Sequence, residues 1–208
     1  VNLNNKKFKM IFQEKATKEL LEHNKLRESA ILESNEALLW KLRSKDKNGE
    51  TNISADKLIF PRVINKKWIQ RNRINQKIGL EGSKTFAKAM LESWNSGITF
   101  SDIVLSNENV KNKRKLSQYR AHLISSGSYH ALINHNRRFY YDPVNESLLP
   151  IYYDGDSNIR NLKKLIFEKD LKDTFLTRDI ETEDFNQAIN QINKINLSEF
   201  TLKLNFAG

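Results

Sequence analysis

The side chains best suited to chemistry crowd into one stretch of this sequence, from His130 to Asp156. It opens with His130, Asn134, His135 and Asn136, imidazoles and amides able to donate to a polar ligand or accept from one. An aromatic strand over 139–141 follows, and Asp-Pro-Val-Asn-Glu-Ser then reads as a turn. A second apolar strand over 148–153 ends in Asp154-Gly155-Asp156. Antiparallel strands of similar length joined by a short turn bring their outer ends side by side. Asn136 and Asp154 are therefore expected to face each other at the open end of one hairpin. An amide oxygen beside a carboxylate is a hard-oxygen donor set suited to Mg²⁺, which keeps several waters and needs few protein ligands. The competing reading is an ordinary surface hairpin with solvated polar ends.

Around that pair, Asp156 could reach the same ion, because residues two apart near a strand end point the same way. It could equally cap a helix starting at Ser157. His130 and His135 could order the loop by hydrogen bonds or donate to phosphate. Arg137 or Arg138 could contact phosphates, the other one pointing into solvent or along the sheet. Protein kinases use the same order of parts: a catalytic-loop Asn, a short hairpin, then an Asp followed by Gly, both on the metal of ATP.

The run His130-Ala-Leu-x-x-His-Asn-x-Arg-Phe-Tyr-Tyr-Asp-Pro, continued by Leu148-x-Pro-Ile-x-x-Asp154, resembles the catalytic segment of CotH-like proteins, the spore-coat-type atypical kinases. More narrowly, it is similar to a bacterial branch with a His-Ala-Leu, His-Asn, Phe-Tyr-Tyr signature. The stretch Lys18-Glu-Leu-Leu-Glu-His-Asn-Lys-Leu-Arg-Glu-Ser-Ala-Ile-Leu32, with Glu36-Ala-Leu-Leu-Trp40 after it, resembles a segment that those proteins carry behind a strand ending in Glu, here Phe12-Gln-Glu14. The two stretches occur in the family's order and cover about a third of the chain.

The resemblance implies an α+β, atypical protein-kinase-like fold, mostly the helical C-terminal lobe with a β-hairpin at the cleft. It implies ATP and Mg²⁺ as cofactors, a protein hydroxyl as phosphoryl acceptor, and export or association with the cell envelope. In its terms His130, Asn136 and Asp154 form the catalytic group, with Asn136, Asp154 and Asp156 on the metal. Glu14, Arg137 and Arg138 lie toward the nucleotide. Two departures qualify it. Five positions before the metal-binding Asn, where kinases keep a catalytic Asp, stands Ala131, which can neither accept a proton nor orient a hydroxyl. No Gly-x-Gly-x-x-Gly or Walker-type loop is present, so the chain reads as the C-terminal part of such a domain. A catalytically inactive pseudokinase or envelope-associated interaction protein is thus the second reading. A basic nucleic-acid-binding module is the third.

Composition sets the outer limits. With 208 residues the chain makes one domain with a proper core, 38% hydrophobic and 10% aromatic. The absence of cysteine excludes disulfides, thiolate zinc sites and cysteine catalysis. No run is long enough to span a membrane, and no secretory signal is visible. The net charge of +10 is spread among Asn and Ile rather than gathered into a binding arm, and is read as a solvated surface.

Elements that must position the site follow from periodicity. Residues 7–14 partly alternate as a strand ending at Glu14, and a short helix begins at Thr17. Asn35-Glu36 caps a second helix, whose Trp40 is assigned to the core. A polar loop covers 44–56. Lys66 to Lys77 reads as one helix facing inward through Trp68, Ile69 and Ile74; its basic residues and Trp68 are what the nucleic-acid reading rests on. Ser83 is expected to cap a further helix with Phe86, Met90, Leu91 and Trp94 in the core, stopped by Gly97. Another begins at Asp102 and resumes, after a polar break through Lys115, with Leu116, Tyr119, Leu123 and Ile124. Past Asp156 a helix through Ile159, Leu162, Leu165 and Ile166, a second over 182–195, and a final strand over 199–206 complete the chain.

Overall fold

The computed structural model describes residues 16–45, 59–96, 100–155 and 180–194, with the backbone of 2–3 and 6–7. Glu14, Gly97, Asp156, most of the polar loop, the helix expected after Asp156 and the final strand lie outside the described residues.

Four antiparallel strands make the central sheet. Asn2–Leu3 (β1) and Lys6–Lys7 (β2) pair separately, and the main sheet is built from Ile31–Asn35 (β3), Phe60–Val63 (β4), Arg138–Asp142 (β5) and Ser147–Ile151 (β6). Its order is β4-β3-β5-β6. The chain is thus a mixed α+β protein, as expected. In the hairpin, Arg138 stands opposite Ile151 and Asp142 opposite Ser147. Its turn is pinned by Asp142, whose Oδ1 accepts from the Val144 amide at 3.0 Å.

Seven α-helices are described: Lys18–His23 (α1), Ala37–Arg43 (α2), Lys66–Ile69 (α3), Arg73–Ser96 (α4), Asp102–Ser106 (α5), Val110–Ser125 (α6) and Thr182–Asn193 (α7). Strand alternation divides the sheet's side chains between two cores. Leu32, Phe139, Tyr141 and Leu148 join Phe86 and Met90 of α4, Leu105 of α5 and Leu116 of α6. Ile31, Tyr140 and Leu149 meet Leu21 of α1 on the other face. The long helix α4 crosses the sheet at close range because Gly82 has no side chain. A Cβ there would stand 2.9 Å from the Tyr141 ring and 3.2 Å from Leu32 Cδ1. Behind the sheet, Ser117 of α6 donates to Asp184 of α7 at 2.7 Å and accepts from the Glu181 amide at 3.1 Å, fixing the two helices together.

Several local expectations change in three dimensions. The sequence reading passed over β3 and β4. Ile31 and Leu32 are covered on both faces, so β3 lacks the alternation that marks a half-buried strand. Pro61 argues against a strand, but β4 is an edge strand, where proline is tolerated. The single helix expected from Lys66 to Lys77 is two, α3 and the start of α4, and Ile74 is 72% exposed. Trp68 is buried in the main core and offers no face to a base. Ser83 caps nothing: α4 runs through it, and its hydroxyl donates to the Gly79 carbonyl at 2.8 Å. On that helix Phe86 and Met90 are core as expected, whereas Leu91 is exposed. The polar break ends at Asn109, which caps α6 by accepting from the Asn112 amide at 3.0 Å.

Candidate functional site

The site grows from the loop between α6 and β5. After Ser125 the chain turns through Gly127, at a φ of 67° open to glycine, and makes two 3₁₀ turns, Tyr129–Leu132 and Asn134–Asn136. Ala131 and Leu132 anchor the first turn by packing against Leu123 and Ile124. Asn134 anchors the second: its carbonyl accepts from Ser34 Oγ at 2.6 Å and its Oδ1 from the Phe100 amide at 3.3 Å. The loop is thereby tied to the central strand and to the segment before α5.

These anchors bring His130, Asn136 and Asp154 into one group. Asn136, almost fully buried, donates from Nδ2 to the His130 carbonyl at 3.2 Å, and its Oδ1 accepts no hydrogen bond from the described residues. Asp154 approaches the same histidine from the end of the hairpin, with Oδ2 3.6 Å from His130 Nε2. Its φ of 46° lies in the left-handed region, an uncommon place for a non-glycine residue. Gly155 allows the tight turn, since a Cβ there would collide with the Tyr152 ring. An amide oxygen and a half-exposed carboxylate are a fitting partial donor set for a hydrated Mg²⁺. Among the described residues no three His, Cys, Asp or Glu side chains gather as a metal cage. Most of such an ion's ligands would therefore be water and phosphate oxygens.

Of these three residues Asn136 also lines a cavity of about 250 Å³, with His135, Arg138, Tyr153, Glu33 and Trp40 in the same wall. Glu33 is clamped by two arginines: Arg62 on Oε1, and Arg138 on Oε2 at 3.0 Å. Arg138 also lies flat on Tyr153, its guanidinium carbon 3.4 Å from the ring centroid. Two guanidiniums against one carboxylate leave the cluster net positive. Trp40 does not belong to the core, as the sequence reading had it. Its indole is 54% exposed at the cavity mouth, with Nε1 donating to Glu36 Oε2 at 2.7 Å and Arg43 over the ring. No sequence signal separated it from Leu39, its buried neighbour on the same helix.

The two arginines assigned to phosphate part company. Arg138 faces the cavity side of the sheet. Arg137 is enclosed, with its guanidinium carbon 5.0 Å from the Phe139 ring centroid and 5.8 Å from that of Phe100. None of its guanidinium nitrogens has a hydrogen-bond partner among the described residues. Burial, followed by the nearby charge of Arg120, pulls its pKa down to about 10. The unfolded chain therefore binds this proton more tightly. Arg137 destabilises the fold by a constant amount through neutral pH, and the penalty fades only as pH rises from about 10 through the unfolded value. Arg137→Met is expected to leave stability unchanged or to raise it by about 1–4 kcal/mol, as measured by urea denaturation. A clear loss would show that the charge itself holds the loop.

Asn136 and Asp154, expected to face each other at the hairpin's open end, each contact His130, Asn136 at its main-chain carbonyl and Asp154 at its imidazole, rather than each other. Comparison of the chain with protein-family models, with curated proteins and with solved structures finds no match. No helix among the described residues is long and apolar enough to cross a membrane.

Proposed function

We propose that this protein binds a Mg²⁺–nucleotide at the open end of the β5–β6 hairpin and transfers its terminal phosphoryl group to a protein hydroxyl, as the CotH-like resemblance implies. The observation that carries this reading is that Asn136 and Asp154 both contact His130, the first at its main-chain carbonyl and the second at its imidazole, while Asn136 also lines the cavity that holds the Glu33, Arg62 and Arg138 cluster. A bound Mg²⁺ would neutralise phosphate charge there. Asn136, with its amide nitrogen already tied, presents its oxygen to the metal, and Asp154 adds the carboxylate. His130 orients both. Arg138, held in place by Glu33 and Tyr153, is the guanidinium that faces phosphate.

Ala131 favours a second reading, nucleotide binding without turnover. It is 1% exposed and packed with Leu132 and Leu123 in the core beneath the loop, so no carboxylate occupies the usual position of the catalytic Asp. Phosphoryl transfer relies chiefly on positioning and electrostatics, and a missing Asp slows it without abolishing nucleotide binding.

Calorimetry with Mg·ATP tests the site. Asp154→Ala and Asn136→Ala are each expected to weaken binding at least about tenfold, with little change in the wild type's binding when the metal-blind Glu22→Ala is compared as a surface control. Equal binding by all three variants would sink the metal site. Turnover of radiolabelled ATP onto a hydroxyl-bearing acceptor distinguishes the kinase from the inactive form.

A further inference from the structure

Trp40 is an exposed indole held in one plane. Its Nε1 is tied to Glu36 at 2.7 Å, Arg43 lies 5.3 Å over the ring, and the side chain remains 54% exposed at the mouth of the cavity that Asn136 also lines. A large aromatic surface left in water but fixed in orientation is a preorganised stacking platform. Tyr153, the phenol ring in the wall, is already covered by Arg138 at 3.4 Å. Stacking therefore falls to Trp40.

Several polar groups nearest it are already engaged. Glu33 holds Arg62 and Arg138, Glu36 holds the indole, and Asn35 Oδ1 accepts from the Ala37 amide at 3.2 Å. Reading a base's edge needs hydrogen-bonding groups that are otherwise unpaired, whereas stacking accepts any base because every base has a π-face. We infer that Trp40 is the nucleobase platform of this site, and that it holds the nucleotide by stacking with little discrimination among bases. This rests on the nucleotide reading of the hairpin end: one ligand would reach from Trp40 to Asn136 across a single cavity, with its phosphates toward Arg138.

The test is binding of Mg·ATP, Mg·GTP, Mg·CTP and Mg·pyrophosphate to the full chain, followed by calorimetry and by tryptophan emission. Trp40 is exposed, so Trp40→Ala is expected to fold normally, with circular dichroism as the check. In the wild type the three nucleotides should bind within about fivefold of one another and quench the emission. Trp40→Ala should weaken all three by about ten- to a hundredfold, remove the quench and leave pyrophosphate binding unchanged. Nucleotide binding that depends on Asp154 but not on Trp40 would overturn the platform and leave the metal site standing. A preference for one purine by more than about a hundredfold would overturn base tolerance in the same way. Failure of both nucleotides and pyrophosphate to bind the wild type would overturn the platform together with the nucleotide reading.

Discussion

Arg120→Met is expected to lower the stability of this protein by about 3–5 kcal/mol. Arg120 and Asp102 are each 1% exposed, and the guanidinium grips the carboxylate through Nε at 3.0 Å and Nη2 at 2.8 Å. Nη2 also donates to the Phe100 carbonyl at 2.7 Å. This one side chain therefore holds α5, the segment before it and α6 in register. Methionine keeps much of the volume but leaves a buried carboxylate without its cation, and that desolvation cost dominates. The double variant Arg120→Met, Asp102→Leu is expected to recover most of the loss, because an apolar pair of similar size replaces the ion pair. Urea denaturation of the three variants measures both terms. A single variant within about 1 kcal/mol of wild type would mean that water reaches Asp102.

Phe139→Ala is expected to cost about 3–5 kcal/mol and to loosen the site as well. Phe139 lies on β5 with no exposed surface, edge-on to Phe86 at 5.0 Å and tilted against Phe100 at 6.3 Å. Truncation opens a cavity where α4 meets the sheet, and the close approach at Gly82 leaves the helix little room to settle into it. It also removes one of the two rings over the Arg137 guanidinium, which has no hydrogen-bond partner among the described residues to replace it. Because Arg137 follows Asn136 directly, the 3₁₀ turn holding the amide should fray first. Hydrogen exchange at the Asn136 amide, bonded to the Ile133 carbonyl at 2.9 Å, should therefore rise by more than the global loss of stability explains. Phe139→Leu, which keeps most of the volume, should cost markedly less. Equal losses for Ala and Leu would show that the ring geometry, not the filled space, matters at this position.

Both substitutions act at a distance from the cavity, yet each bears on the same device. The loop carrying His130 and Asn136 has few side-chain ties of its own. It is held by Ser34 on β3, by the Phe100 amide and by the packing of Ala131 and Leu132. Placement of the candidate ligands is thus a property of the assembled core rather than of the loop.

Much of this was legible in one dimension. The hairpin, its turn and the loop before it follow from short-range rules: aromatic and β-branched residues favour the strands, Asp142-Pro favours the turn, and Ser-Gly breaks the preceding helix. The hairpin pairing places the ends that carry Asn136 and Asp154 at the same edge of the sheet, as two strands joined by a short turn must. What periodicity could not show is which surface a residue meets. The tertiary structure alone decided that Trp40 stands at a cavity mouth while Leu39 beside it is buried, that Arg137 is enclosed beside Phe139 while Arg138 pairs with Glu33, and that Glu33 sits between two arginines from neighbouring strands. Those outcomes depend on partners brought in from far along the chain. Strand β3, buried on both faces from Ile31 to Ser34, carries no alternating signature because neighbours cover it from each side, and it becomes an inner strand of the sheet only when β5 closes against it. Local pattern determined the elements and the chemistry of the loop; long-range pairing determined which of its side chains share a site.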